Sequence, residues 1–317
     1  MTVWWFISNY ITNKRIDMIR KIGMILVITF ALVFGYWYSF LALDEISMEQ
    51  AEIIKQYQYN SEQAVELILT EIEPHLFTFT YKSFDQSIVN GQISYPKNQA
   101  DKYPVLIGIS AMGRGYQRWW SESFKGRPTV TQVNKITELA DKNGYVVISI
   151  DARYHGKRKN PDRTLRSIMN DLHFFGDKTD YEAMIKNTVI DHRVLLDWVS
   201  QQNNLDKSNI SVVGYSMGGQ IGLILASLDQ RISKIISIVP PYLDDKTALV
   251  APKNFISLLK NQDVLLLTAD DDENASKSEN DFIFKHISTP KKERIVFSGG
   301  HILPDNYVDS LSNILAN

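Results

Sequence analysis

Residues 209–228 read NISVVGYSMGGQIGLILASL, which combines a strand pattern, a glycine-rich turn and a helix pattern. Ile210–Val213 has the β-branched character of a buried strand, and Gln220–Leu228 is typical of a helix. Between them lies G-x-S-x-G, with Ser216 flanked by Gly214 and Gly218. A sharp strand–turn–helix connection brings the second residue before the serine close to the second residue after it, where only very small residues fit. The pattern therefore predicts a strained turn that presents Ser216 at the end of a strand.

Ser216 is the candidate nucleophile of this turn. The N-terminus of the following helix favours the negative charge that develops near the serine. A serine hydroxyl is a weak nucleophile at neutral pH, so it needs a base, and the base needs an orienting acid. Of the two histidines that follow Ser216, His286 lies in a helical segment. His301 follows the strand RIVFS in the glycine-rich loop 298–301, which favours it as the base.

The acid is expected after the strand VLLLTA, at residues 264–269. Three aspartates follow it, Asp270, Asp271 and Asp272, and such a run is also typical of a solvated acidic loop. An acid a few residues past the end of the strand favours Asp272, while Asp270 and Asp271 remain alternatives.

Two backbone N–H groups are needed to hold an oxyanion in acyl transfer. Met217, the residue after the nucleophile, is the first candidate. Met112, in the loop after the strand VLIGIS at residues 105–110, is the second, since small neighbours at Ala111, Gly113 and Gly115 let the backbone approach a substrate. Trp119 and Trp120 follow this loop, where an acyl pocket and the core are equally good places for them.

The rest of the chain has the rhythm of an α/β protein. Two alternating runs, 75–84 and 87–96, predict an antiparallel pair. Continuous apolar runs separated by helical stretches then predict six strands of a doubly wound parallel sheet, which makes eight strands in all. These runs are 105–110, 145–150, 209–214, 234–239, 264–269 and 294–298, and a last helix is expected near 306–315.

The ordered set G-Y-S-M-G, D-D-D and G-G-H on this rhythm resembles the α/β-hydrolase superfamily over residues 75–317, with esterase, peptidase and dienelactone-hydrolase-like members. The loop 151–156, D-A-R-Y-H-G, is similar to a family loop that is usually structural, which implies a bracing role for His155. His192 is expected to be a packed helix histidine. Where members often carry His-Gly at the oxyanion strand, this chain has Ser110-Ala111.

The resemblance implies hydrolysis of small carboxylic esters through an acyl-enzyme. The alternatives are a peptidase or amidase on the same fold and a non-catalytic, membrane-anchored binding module. A serine at position 216 excludes the aspartate and cysteine nucleophiles of other members. No cofactor or metal motif is present, and the absence of cysteine excludes disulfides and thiolate ligands. A net charge of −2 gives no global basic field for nucleic acid.

The N-terminus differs from the rest of the chain. Residues 22–43 carry no charge over 22 positions, enough to span a bilayer as a helix. Basic residues precede this segment and acidic residues follow it, which predicts a cytoplasmic N-terminus and a catalytic domain outside the cytoplasm. The alternatives are a signal peptide, with translation from Met18 and a weak cleavage site near Val33 and Gly35, and a buried core helix.

The expected organisation has four parts. A cytoplasmic segment over 1–21 precedes the transmembrane anchor or signal segment at 22–43. A Glu- and Gln-rich helical connector at 44–74, free of Gly, then leads into the hydrolase domain at 75–317.

Overall fold

A computed structural model describes residues 2–61 and 64–316 of the chain, which divide into two compact units. The first contains residues 2–44 and 169–178. Its main element is the helix α1, Thr2–Phe40. The stretch Lys14–Phe40 is apolar and long enough to cross a membrane, and its most apolar window is unburied. Within this unit the indole Nε1–H of Trp37 donates a hydrogen bond to the carbonyl of Phe174 (2.9 Å).

The second unit is built on a nine-stranded sheet. Its strands are β1 Ile68–Glu73, β2 Leu76–Lys82, β3 Ile88–Ser94, β4 Tyr103–Ile109, β5 Val146–Ile150, β6 Leu205–Tyr215, β7 Lys234–Ile238, β8 Asp263–Ala269 and β9 Lys292–Phe297. Their spatial order is β1-β2-β3-β5-β4-β6-β7-β8-β9. Neighbouring strands from β1 to β5 in this order pair antiparallel, and those from β5 to β9 pair parallel.

Helices cover both faces of the sheet. Alternate strand residues point to opposite faces. The helices after α1 are α2 Gln50–Lys55, α3 Val133–Lys142, α4 Leu165–Phe174, α5 Thr179–Gln201, α6 Met217–Leu228 and α7 Lys277–His286. On one side Leu106, Val147 and Val213 pack with residues of α3 and of the C-terminal 3₁₀ turn Asp305–Leu311. On the other side α6 approaches Val212 and Ile235 at Gly222.

These elements confirm the predicted α/β architecture. All five residues of β5 are buried, as expected for a strand covered on both faces. The C-terminal ends of β4, β6, β8 and β9 lie on the same edge of the sheet because the strands are parallel, and this edge receives the candidate residues.

The connector over 44–74 differs from its predicted helix. Among the described residues of this connector, 44–61 and 64–74, the structure has a helix at Gln50–Lys55, and Ile68–Glu73 forms the edge strand β1. The sheet therefore has nine strands instead of eight. The C-terminal segment is also a 3₁₀ turn at Asp305–Leu311 where an α-helix is expected. Residues 169–178 group with the N-terminal unit, which the expected boundaries do not anticipate.

Candidate active site

Ser216 occupies the turn between β6 and α6 in a strained conformation. Its φ is 57° and its ψ is −119°, a region that residues with a Cβ rarely adopt. A Cβ at Gly214 would lie 2.0 Å from the carbonyl oxygen of Gly218, and a Cβ at Gly218 would lie 2.1 Å from that of Ile109. Both glycines are therefore needed for this turn to form against the end of β4.

Three of the predicted site residues lie together at this edge. His301 Nε2 lies 2.7 Å from Ser216 Oγ, and His301 Nδ1 lies 2.9 Å from Asp272 Oδ1. The Asp272 side chain is 1% exposed and also accepts the Asn274 N–H at 2.9 Å. A carboxylate on Nδ1 fixes the tautomer in which Nε2 is free to accept the serine proton.

The other two aspartates of the run lie apart from the imidazole. Asp270 is exposed and accepts hydrogen bonds from the Gly299 N–H (2.8 Å) and the Ser298 hydroxyl (3.2 Å). Asp271 is exposed, and its backbone N–H donates to the carbonyl of Gly299. Asp270 therefore braces the loop that carries His301, whereas the Asp271 side chain makes no hydrogen bond within the described residues.

Two further residues hold this loop, and the sequence alone does not identify either. The Tyr215 hydroxyl donates to the carbonyl of His301 (2.9 Å) and accepts the Leu303 N–H (3.0 Å). Burial raises the pKa of Tyr215 to about 12, so the hydroxyl stays protonated and can donate its hydrogen bond to His301. Glu273 Oε2 accepts the His301 N–H at 3.2 Å. Both contacts fix the backbone of His301 and leave its imidazole free for Ser216 and Asp272.

The two candidate oxyanion donors lie in the segments that follow β6 and β4. Met217 is the first residue of α6, so its N–H has no acceptor within the helix. Met112 lies in a turn closed by the Arg114 N–H on the carbonyl of Ala111 (3.1 Å), with Gly113 at φ +77°. The close contact between Gly218 and Ile109 brings the end of β4 against the start of α6.

The two tryptophans after this loop pack into the fold. Trp119 is fully buried in the core, and its Nε1–H donates to the Ser110 hydroxyl (3.2 Å). Trp120 packs against the same core and donates to the Ser94 hydroxyl (3.0 Å). Ser110 thus joins the start of the loop that carries Met112 to the buried ring of Trp119. Of the two places expected for these rings, the structure favours the core.

The loop 151–156 sits in a buried network of charges. Asp191, which has a fully buried side chain, pairs with Arg153 (2.7 Å) and Arg158 (2.6 Å), and Arg153 also pairs with the more exposed Asp85 (2.6 Å). The fully buried His155 donates from Nδ1 to the carbonyl of Arg153 (2.7 Å). Burial lowers the pKa of His155 to about 4, so it is neutral at pH 7.

Two further histidines, His192 and His286, lie in helices. His192 donates from Nδ1 to the carbonyl of Thr188 (2.7 Å), and burial lowers its pKa to about 4. His286 is the last residue of α7, is exposed, and donates a hydrogen bond from Nδ1 to the carbonyl of Phe282. Neither residue contacts Ser216, so His301 is the histidine that the structure brings to the serine.

Neutralising Asp191 is expected to destabilise the second unit strongly. The Asp191→Asn substitution keeps the volume but leaves two mostly buried arginines without their shared carboxylate, which costs about 3–5 kcal/mol of unfolding free energy. Asp85→Asn is the matched control, because its carboxylate is 35% exposed and such a pair contributes about 0.2–1 kcal/mol. Urea unfolding of the full chain in detergent measures both. Equal losses would show that the Asp191 network does not brace this loop.

Comparisons with known proteins agree with this fold. The family model described as alpha/beta hydrolase fold matches residues 131–266. No curated protein sequence matches the chain. Among solved structures, acetyl xylan esterase 1 from Thermoanaerobacterium sp. JW/SL YS485 superposes with a TM-score of 0.67 at 16% identity, covering 89% of this chain and 97% of that one. The acetyl xylan esterase from Paenibacillus sp. R4 gives a TM-score of 0.65 at 16% identity, covering 89% and 98%.

A protein of Bacteroides ovatus named as a dipeptidyl aminopeptidase IV is also similar, with a TM-score of 0.53 at 16% identity. This chain covers 34% of that longer protein, and the match takes in 75% of this chain. All three likenesses concern the fold. With the family model and the sheet order, they show that the chain has an α/β-hydrolase fold.

Proposed function

We propose that the chain is a serine hydrolase that cleaves small carboxylic esters through an acyl-enzyme. The observation that carries the proposal is the continuous line from Asp272 through the His301 imidazole to Ser216 Oγ, at 2.9 and 2.7 Å. Nucleophile, base and orienting acid at hydrogen-bond distance, in the chain order serine, acid, histidine, are the requirements for nucleophilic catalysis on this fold.

The geometry supports a two-step reaction. Ser216 Oγ attacks the ester carbonyl carbon while its proton passes to His301 Nε2, and Asp272 stabilises the imidazolium that forms. The N–H groups of Met217 and Met112 donate to the oxyanion. The C–O bond to the alcohol then breaks, and the alkoxide leaves with the proton from Nε2. Water attacks the acyl-enzyme with His301 as base, and the acid product leaves as Ser216 regains its proton.

Esters are preferred to peptides for two reasons. The acetyl xylan esterases are matched over nearly their whole length, whereas the match covers 34% of the dipeptidyl aminopeptidase IV. An alkoxide is also a better leaving group than an amide nitrogen, so the same triad cleaves esters more readily than amides. The peptidase or amidase remains the alternative, as does a non-catalytic binding module.

We also propose that α1 anchors the chain as a single-pass membrane protein, with its N-terminus in the cytoplasm and the hydrolase unit outside. The apolar stretch of α1 and the basic residues before it support this orientation. Secretion after signal cleavage is the alternative. A membrane-impermeant fluorophosphonate applied to intact cells tests the topology, because labelling that requires cell lysis would contradict it.

A substrate panel tests the ester proposal. We expect the full chain in detergent to hydrolyse p-nitrophenyl acetate and butyrate with a much larger kcat/KM than aminoacyl p-nitroanilides, and to lose this activity in Ser216→Ala. Faster anilide cleavage would favour the peptidase. Folded protein that cleaves neither class and takes up no fluorophosphonate would favour the binding module.

A further inference from the structure

A basic cleft adjoins the loop that carries Met112. It has a volume of about 500 Å³ and is walled by residues 113–118, by the small hairpin around 124–127 and by the loop 156–159. No Asp or Glu is among the described residues that line it, whereas six cationic side chains do: Arg114, Arg118, Lys125, Arg127, Lys157 and Lys159. The chain as a whole has a net charge of −2, so this concentration of positive charge is local.

None of these six side chains forms an ion pair within the described parts of the chain. Other mostly buried arginines of the same unit do have carboxylate partners: Arg153 and Arg158 pair with Asp191. The cleft thus gathers six cations that have no ion-pair partner within the described residues, and the buried Asp151 carboxylate behind its wall accepts the backbone N–H groups of Tyr116 and Lys157.

Arg118 shows that this arrangement is built into the fold. It is 6% exposed, and its guanidinium donates only to neutral acceptors: the carbonyls of Arg127 (2.6 Å) and Phe124 (3.3 Å) and the hydroxyl of Thr129 (3.2 Å). Burial, together with the charges of Arg114 and Arg127, lowers the pKa of Arg118. These bonds fix the guanidinium without neutralising it, so a bound anion would relieve the mutual repulsion of the three arginines.

The position of the cleft links it to the ester site. Gly113 lines the cleft and directly follows Met112, and adjacent Cα atoms are 3.8 Å apart. Farther along the loop, the Ser110 hydroxyl donates to the carbonyl of Gly115 (3.3 Å), which ties the cleft wall to the end of β4 and so to the Ser216 turn. The cleft and the Ser216 turn are thus both attached to the C-terminal end of β4.

We propose that this cleft is a subsite for a doubly charged oxyanion such as a phosphate monoester, carried by the ester substrate itself. The inference rests on the proposed ester hydrolysis and narrows it to acyl esters with a phosphate-type group. Arginine is suited to such groups because its planar fork meets two oxygens at once, and since Arg118 already donates to three protein acceptors, this role falls to Arg114 and Arg127. The four exposed cations of the cleft add attraction that falls with salt.

Binding to the inactive full chain in detergent tests the subsite without depending on catalysis. By titration calorimetry of Ser216→Ala, we expect 2-acetoxyethyl phosphate to bind at least about 10-fold more tightly than the neutral 2-acetoxyethanol, as expected for charge complementarity across a binding surface. Reversal of two exposed cations, Lys125→Glu with Arg127→Glu, should remove this preference. Lys157→Gln with Lys159→Gln, a milder change, should reduce it.

Lys260→Glu is the matched control, because Lys260 is exposed and precedes β8 at the opposite edge of the sheet. It should retain the preference. Equal binding of the two esters, or a preference that survives the double reversal, would overturn the subsite.

Hydrolysis and competition separate the remaining outcomes. If the wild type binds the phosphate ester in the cleft but cleaves neither ester, the ester proposal fails and the subsite stands. If it cleaves both equally well, the subsite is wrong. Phosphatidylglycerol, added to micelles of a neutral detergent, tests whether the anion bound in the cleft is a lipid headgroup or the phosphate of a soluble ester. If this lipid binds in a cleft-dependent manner and the soluble phosphate ester does not, the cleft serves a headgroup and the substrate proposal is overturned.

Discussion

Ser216→Ala is expected to abolish fluorophosphonate labelling and to lower kcat for p-nitrophenyl acetate by about 10⁴- to 10⁶-fold, the range seen when the nucleophile of a serine hydrolase is removed. The reason is geometric: Ser216 Oγ is the hydroxyl at 2.7 Å from His301 Nε2. In-gel fluorescence of the labelled chain and a spectrophotometric assay with excess substrate measure the two effects.

The fold of the variant needs its own check, because Ser216 has a positive φ. Alanine has a Cβ like serine, so it should adopt the same strained turn with the same unfolding midpoint. Ser312→Ala, at an exposed position in the C-terminal segment, is the matched control and should label like the wild type. Labelling of Ser216→Ala at the wild-type level would rule out Ser216 as the nucleophile.

The central fold was predictable because burial leaves a clear pattern in the sequence. The strands β4, β5, β7 and β8 are apolar runs and β6 contains one at residues 210–215, since both faces of a parallel sheet are covered. The helix α3 has amphipathic spacing, whereas α6 is buried from Met217 to Ser227. Edge strand β1 has no such pattern. All six residues of Ile68–Glu73 are exposed, and Glu71 and Glu73 favour a helix, so pairing with β2 decides the conformation against local propensity.

The parts of the candidate site also differ in how far the sequence predicts them. The turn at Ser216 was predictable because its two glycines are a local requirement. A Cβ added at Gly214 or Gly218 would lie 2.0 or 2.1 Å from a backbone oxygen. The hydrogen bond from Tyr215 to the His301 loop was not predictable, because it joins residues 86 positions apart. In sequence, Tyr215 does not differ from any other tyrosine that is buried in the core. The basic cleft likewise combines three separate segments, so its charges appear in sequence as ordinary surface cations.

Asp272→Asn is expected to lower kcat by about 10³- to 10⁴-fold while leaving fold and ester binding largely intact, as for the equivalent change in other Ser-His-Asp sites. The carboxylate accepts from His301 Nδ1 at 2.9 and 3.1 Å and is almost fully buried. An amide at this place presents its NH₂ group or a neutral oxygen. It therefore neither fixes the tautomer nor stabilises the imidazolium that forms when Ser216 attacks.

The neighbouring aspartates supply controls of the same chemistry. Asp271→Asn should leave kcat near the wild-type value, because the Asp271 side chain is exposed and makes no hydrogen bond within the described residues. Asp270→Asn should have an intermediate effect, because it weakens the bonds to Ser298 and Gly299 that hold the His301 loop but leaves the imidazole with its carboxylate. Steady-state kinetics with p-nitrophenyl acetate rank the three variants. Near-wild-type kcat in Asp272→Asn, with a large loss in Asp270→Asn or Asp271→Asn, would move the acid to that residue and would require the loop to rearrange during catalysis.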